Sequence, residues 1–542
     1  MRYLASTLVV ALVTSCTWLE DSAKSIRFVD ESEERGLTFT YLSGGTEKHR
    51  LPEIMGGGVA FFDSDRDGDL DVYIVQSGSL DEQPTEHGNA LFVNDGSAQF
   101  VLTPAGDASA NLGFGMGVAV GDIDNDALPD LFITQLGANV LLRNAGDNRF
   151  VNVTKDAGFR LEDWSTATAF ADFDLDGDLD LWVVNYIDWS ESMEPECYQN
   201  MLGSRDYCSP SHYKAPAQDR VFRNDGSGRF EDVTPQAGVM GTRGNGLGIV
   251  ISDFNDDNLI DVYVANDSSP NHLWLNQGNF RFKNKAAIWN SAVDQHGVAR
   301  AGMGIVATDL DDDADQDLVI VHIETEPNYV FSNEGDYFRD ITASVGLNIH
   351  SQRYTRFGLA VDDLDNDGWL DIFEANGRVT RDSSPIDGDK FATPNAFYKG
   401  TPDGRFELLE YTEAVFTSRG TAIGDLDDDG KLDMVVVDRD QPIRLLMNQS
   451  PGNSGWLLLD IRDALDRPAL GATVSVDVNE RTQTRVVQSA SSYLSARDPR
   501  IHFGLGSDDK VTNVRVRWIS GEERQLAELQ ANQIVTIKEG AG

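Results

Sequence analysis

One spacing of carboxylates recurs seven times along the chain: Asp, any residue, Asp or Asn, any residue, Asp, three residues, Asp. The first copy places Asp63, Asp65, Asp67 and Asp71 at positions 1, 3, 5 and 9. The next three supply Asp122, Asp124, Asp126 and Asp130; Asp172, Asp174, Asp176 and Asp180; and Asp253, Asn255, Asp257 and Asp261. The last three supply Asp309, Asp311, Asp313 and Asp317; Asp363, Asp365, Asp367 and Asp371; and Asp425, Asp427, Asp429 and Asp433. Carboxylates crowded in this way repel one another and are stable together only with a cation among them. Calcium suits the spacing, because it takes six to eight oxygens at about 2.3–2.6 Å in flexible geometry; magnesium demands a near-ideal octahedron. Up to seven Ca2+ ions are therefore expected, one per copy.

An EF-hand shares positions 1, 3 and 5 but adds a bidentate glutamate at position 12 and flanking helices. The sixth copy has that glutamate, Glu374, whereas the other six have an apolar residue there. Its flanks refuse the assignment. Phe357 to Val361 before and Trp369 to Phe373 after are short apolar runs of strand composition. Every copy shares this context: a Gly-rich apolar run enters, as in Gly57 to Phe62, Gly115 to Val120 and Gly302 to Val306, and a second leaves, as in Leu70 to Val75 and Leu179 to Val184. A further signature follows, such as Arg220 to Thr234, in which Asn224-Asp225-Gly226 marks a hairpin between two more strands.

Four strands per repeat make one propeller blade. The expected fold is all-β: a seven-bladed β-propeller with calcium loops over residues 25–452, then a small β-rich, sandwich-like domain over 453–542. Each unit closes on a Phe-led strand, near Phe100, Phe150, Phe230, Phe282, Phe338 and Phe406, but the seventh stops at Asn448 without one. Phe28 to Leu37 carries that pattern and is expected to complete the last blade, leaving no open edge. Copies two, four and five have Ala127, Asn258 and Ala314 at position 6, where the tight turn of the other copies has glycine.

Between the third and fourth copies lies an insertion, residues 185–219, rich in aromatics: Tyr186, Trp189, Tyr198, Tyr207 and Tyr213. It reads either as a ligand-contact loop or as a lid over blade edges. Cys197 and Cys208 within it read as a local disulfide, with two free thiols as the alternative, and are too few for a zinc site. His502, in an alternating strand of the C-terminal segment, reads as structural rather than as a catalytic base.

Asp and Glu number 89 against 44 Lys and Arg, a formal net charge of -45, which excludes a nucleic-acid partner by repulsion. A hydrophobic fraction of 40% excludes a disordered chain. At the start, Met1 and Arg2 precede an apolar run from Tyr3 to Val13 that is too short to span a bilayer, so residues 1–16 read as a secretion signal and 17–24 as a linker.

Several of these features resemble known families. Val13-Thr14-Ser15-Cys16 resembles a bacterial lipobox, which implies lipidation at Cys16, and Thr17 resembles the outer-membrane sorting class. An ordinary signal peptide with an incidental cysteine is the alternative, and both export the chain. The repeats, over roughly residues 25–450, resemble the FG-GAP/VCBS repeats of integrin α-subunit propellers. The C-terminal motifs, Gly471 to Val474, Ile501 to Gly506, Val514 to Trp518 and Asn532 to Val535, resemble the ASPIC/UnbV domain of the cartilage acidic protein 1 family, with Ile519 in place of the usual proline. No cysteines remain for the EGF-like module of animal relatives, so the bacterial lipoprotein branch is the nearer comparison.

The resemblance implies an exported, lipid-anchored calcium-binding propeller at the outer membrane, periplasmic or cell-surface, acting in binding or adhesion toward a protein, glycan or matrix partner. A monomer is expected, touching the membrane only through its anchor. The rival readings are a propeller hydrolase or lyase with a central-channel site, and a scaffold of a membrane-associated complex. Catalysis is not expected: the metal loops absorb the carboxylate clusters, histidines number only 8, and no nucleophile elbow, HExxH or CxxCH motif is present.

Overall fold

A computed structural model describes residues 26–81, 88–110, 113–160, 162–198, 203–381, 389–478 and 481–540. The expected secretion signal with Cys16, the expected linker and residues 199–202 of the insertion lie outside the described residues. The chain is all-β, and each acidic repeat folds into a unit of four antiparallel strands, in chain order for the first six. In the first unit Val59–Phe62 pairs with Asp71–Ile74, then Ala90–Asn94, then Phe100–Thr103; in the fourth, Gly246–Ser252 pairs with Asp261–Asn266, His272–Asn276 and Phe282–Asn284. Among the described residues there are seven such units. The innermost strands are buried on both faces, which is why they read as unbroken apolar runs.

The innermost strands of successive units lie against one another, and that of the seventh unit, Ser418–Gly424, lies against that of the first, so the series closes into a propeller-like ring. The strand the seventh unit lacks comes from the other end of the chain: Phe28–Asp30 pairs with Arg444–Asn448, Phe28 opposite Asn448. The inner runs are Gly-rich because backbones crowd there. A Cβ on Gly58 would stand 2.7 Å from the Gly117 Cα, and one on Gly304 would stand 2.0 Å from the Phe357 carbonyl oxygen.

A buried asparagine ladder fastens neighbouring units. Asn276 Nδ2 donates to the carbonyl of Ile260 in its own loop and, at 2.9 Å, to that of Phe173 in the preceding loop. Asn144, Asn224, Asn333 and Asn448 do the same, to Ser64, Ile123, Phe254 and Leu364 of their preceding loops. Asn94 closes the circle by donating to Leu426 of the seventh loop. The sixth unit has Gly400 at this position and makes no side-chain rung.

The C-terminal segment builds a three-stranded sheet (Ile501–Gly506, Gly455–Arg462, Gln533–Lys538) and a four-stranded one (Arg481–Val486, Thr473–Val478, Lys510–Arg517, Glu523–Gln530) over a core including Leu457, Val474, Val516 and Trp518. From it a short hairpin, Ala490–Ser491 with Ser495–Ala496, enters the middle of the ring. Ala496 pairs with Ala60, Ser492 exchanges both backbone bonds with Ile305, and the Leu494 carbonyl accepts the N–H of Val118. At its tip the Tyr493 hydroxyl donates to the carbonyl of Met55, beside the buried turn Leu51–Ile54 at the strand ends away from the acidic loops.

The insertion packs at that same end. Tyr207 lies edge-on to His49 and Phe391, the Tyr186 hydroxyl donates to Asp267, and the Tyr213 hydroxyl and Trp189 Nε1 both donate to Glu194. Cys197 and Cys208 are disulfide-bonded. Most of the insertion's aromatics thus turn inward, and Tyr198 is left about half exposed.

Replacing Asn276 by Ala leaves two buried carbonyls without their donor, at about 1–3 kcal/mol each. Asn276→Ala is expected to lower unfolding free energy by about 3 kcal/mol in a denaturant titration. A change below about 0.5 kcal/mol, the scale of an ordinary surface substitution, would mean the ladder does not fasten the units.

Candidate functional site

Each acidic nonapeptide joins the first strand of its unit to the second, and all seven fold as one turn. The position 1 carboxylate accepts the N–H groups of positions 5 and 6: Asp172 Oδ1 from Asp176 at 3.1 Å and Oδ2 from Gly177 at 2.9 Å. The position 5 carboxylate accepts the N–H of position 7, as Asp176 does from Asp178. The position 9 carboxylate is a clamp, with one oxygen on the N–H of position 2 and the other on the N–H that opens the hairpin; for Asp180 these belong to Phe173 and Asn224. The other six copies repeat the clamp through Asp71, Asp130, Asp261, Asp317, Asp371 and Asp433.

This turn needs a left-handed backbone at positions 4 and 6. Position 4 is never glycine: Arg66, Asn125, Leu175, Asp256, Asp312, Asn366 and Asp428 all have φ between 52° and 64°. At position 6, Ala127, Asn258 and Ala314 take the same left-handed conformation, at φ 69°, 63° and 76°, as Gly68, Gly177, Gly368 and Gly430. The missing glycines leave the loop shape intact.

With positions 1, 5 and 9 braced by backbone donors, position 3 stands apart. Asp65 Oδ1, Asp124 Oδ1, Asp174 Oδ1 and Asn255 Oδ1 are buried and have no hydrogen-bond partner. Carboxylate oxygens approach within 4.8 Å of one another in the sets Asp63, Asp65, Asp67; Asp122, Asp124, Asp130; Asp172, Asp174, Asp180; Asp309, Asp311, Asp317; and Asp363, Asp365, Asp371. Such all-oxygen sets fit a hard divalent cation. In the fourth loop Asn255 Nδ2 donates to Asp257, which fixes the amide.

Burial, reinforced by neighbouring carboxylates, pushes these acids upward: Asp71 to about 7, Asp180 to about 9, Asp317 to about 8, Asp172 to about 6 and Asp309 to about 7. Asp124, Asp174, Asp311 and Asp427 are raised for the same reasons. The loops are therefore costly to keep charged on their own. Glu374, the EF-hand mimic, lies away from its loop on the strand Asp371–Asn376, buried and bonded to Asn328 and Tyr398.

The loop ends of the ring are clasped by the C-terminal segment. Arg66 pairs with Asp466 at 2.6 Å, Arg467 reaches Asn125 and the Gly177 carbonyl, and Arg517 pairs with Asp256. Arg481 holds Asp312, the N–H of Gly506 bonds the Asn366 carbonyl, and Arg500 holds both the Asp425 carbonyl and Asp428. Every loop is touched, six of them at position 4. His502 belongs to this contact: Nε2 lies 3.1 Å from the Gly430 carbonyl, and burial lowers the imidazole to about 4, so it serves as a neutral structural donor.

Comparisons with known proteins agree with this organisation. A family model described as ASPIC and UnbV matches residues 463–542, and one described as FG-GAP-like repeat matches 63–133, 122–183 and 253–320, which takes in the first five loops. Cartilage acidic protein 1 of Homo sapiens is 29% identical over 324 residues, 57% of this chain and 46% of that protein; the Xenopus tropicalis protein is 23% identical over 326 residues, 58% and 40%. The chain spans less than half the length of these curated relatives. Among solved structures, an Agrocybe aegerita lectin described as recognising non-reducing terminal N-acetylglucosamine overlaps with a TM-score of 0.37 at 17% identity, covering 66% of this chain and 80% of the lectin. BBS1N in complex with ARL6DN gives 0.42 at 9%, covering 80% and 99%. Scores this low say nothing about a ligand.

An alanine held at positive φ costs about 1–2 kcal/mol that glycine avoids. Ala127→Gly and Ala314→Gly are each expected to raise unfolding free energy by up to about 1 kcal/mol, net of the entropy glycine restores to the unfolded chain. Loss of stability in both would contradict the shared turn.

Proposed function

The chain belongs with the FG-GAP-repeat, ASPIC/UnbV-bearing relatives of cartilage acidic protein 1, and from that premise we propose that it is an exported, lipid-anchored calcium-binding propeller that acts in binding or adhesion. The observation that carries the calcium reading is the set of buried, unpartnered position 3 oxygens in loops whose other carboxylates are already braced. In such a loop positions 1, 3, 5 and 9, with the carbonyl of position 7, hold the ion, whose charge offsets the repulsion among the aspartates. The chain's own work is to preset the turn. Positive φ at positions 4 and 6 and the N–H braces point the oxygens inward before any ion arrives.

A binding role is favoured over a central-channel enzyme because the hairpin 490–496 fills the middle of the ring and meets the turn Leu51–Ile54. Extracellular modules of this kind bind calcium with Kd of about 0.1–1 mM, so occupancy outside the cell is expected. The partner is proposed to be a protein, glycan or matrix component, and Cys16 the lipid attachment. Cys16→Ser is expected to move the protein from the membrane to the soluble fraction of its cell envelope; unchanged membrane retention would remove the anchor from the account.

At calcium tenfold above Kd each loop contributes about 1.4 kcal/mol. EGTA is therefore expected to lower the melting temperature by several degrees, reversibly on adding calcium, and no shift would refute the reading. The pH dependence has a definite sign. Carboxyls raised in the metal-free fold contribute stability that is present below the ordinary carboxylate range and is lost as pH climbs through about 6 to 9. Calcium must displace those protons, so its affinity, measured by calorimetry, should rise from about pH 6 to about pH 9, with proton release on binding.

A further inference from the structure

One of the seven loops already holds a cation. Lys399 lies on the strand Thr393–Gly400, one residue before the backbone N–H that clamps Asp371. Its Nζ stands 2.6 and 2.5 Å from the two oxygens of Asp365, 2.6 Å from Asp367 Oδ2 and 3.9 Å from Asp371 Oδ1. Those residues are positions 3, 5 and 9 of the sixth loop. An ammonium group is a compact point charge with three donors, and here it donates to two carboxylates at hydrogen-bonding distance.

The same strand position in the other units shows how particular this is. It is occupied by Val93, Arg143, Arg223, Leu275, Ser332 and Met447. The two arginines stay outside their loops: Arg143 comes only to 3.8 Å from Asp124, and Arg223 turns to Glu231, each with its side chain 47% exposed. In both of those loops the position 3 oxygen is left without a partner, as it is in loops one and four, whereas both oxygens of Asp365 are taken by Lys399. The sixth unit is also the one without an asparagine rung, and it lies beyond the segments matched by the FG-GAP-like family model.

We propose that Lys399 is the resident cation of the sixth loop, occupying the place that calcium takes in the others, so that this loop is ordered without metal. The assignment rests on the calcium reading of the ring. It gives the C-terminal segment one dock that does not depend on calcium. Arg481 lies 3.4 Å over the Trp369 ring and bonds the Gly368 carbonyl, and a Cβ on Gly504 would meet Asp363. When calcium is withdrawn, the other loops lose their counter-charge while this one keeps its own.

Native mass spectrometry of the full chain in saturating calcium, counting bound ions, separates the possibilities. Asp174→Ala in the third loop is expected to lose one ion relative to wild type, Asp365→Ala to lose none, and Lys399→Met to gain one. Loss of an ion in Asp365→Ala, or no gain in a folded Lys399→Met, overturns the assignment; should Lys399→Met fail to fold, Asp365→Ala still decides. If Asp174→Ala also loses none, the calcium reading itself falls, and this assignment with it.

Discussion

Carboxylates packed within 4.8 Å of one another in half-buried turns cannot all remain charged unless a positive charge is placed among them. The ring is assembled from seven such turns, and each joins the two innermost strands of its unit. The position 9 aspartate ties the loop to the hairpin that follows, and the asparagine opening that hairpin ties the unit to the loop before it. The acidic turn and the contact between units are therefore parts of one hydrogen-bonded assembly. Disturbing the charge balance of a loop strains the joint beside it.

The C-terminal segment depends on the same turns. Its arginines read the loops mostly at position 4, the residue pushed outward by its left-handed backbone. Within the loops carboxylates converge at positions 1, 3, 5 and 9, and at position 4 Asp256, Asp312 and Asp428 turn outward to arginines. The hairpin 490–496 adds a second attachment along the axis, so ring and C-terminal segment are joined at rim and centre.

Much of this is legible in the sequence because the signals are local and repeated. Seven copies of one spacing identify the loops, the apolar runs on either side identify strands, and those runs are enough to set aside the EF-hand pattern that ends at Glu374. The pairing of Phe28–Asp30 with the last unit is legible too, because the Phe-led pattern recurs there and is absent after Asn448. What stays hidden is geometry without a composition signal. Nothing about Arg66 or Leu175 announces a left-handed residue, and glycine at position 6 is dispensable once the N–H braces fix the turn. The division of labour among four aspartates depends on which backbone donors reach them. Lys399 lies far along the chain from Asp365 and is matched in sequence by two arginines that stay out of their loops. The axial hairpin, Ser489 to Arg497, is a short polar run whose partners are scattered across the ring.

Crystals grown in calcium and measured at a wavelength where calcium scatters anomalously test the central claim most directly. The account predicts anomalous peaks enclosed by positions 1, 3, 5 and 9 of loops one to five and seven, and none in the sixth loop beside Lys399. Aspartates directed into solvent around loops that show no peak would contradict it.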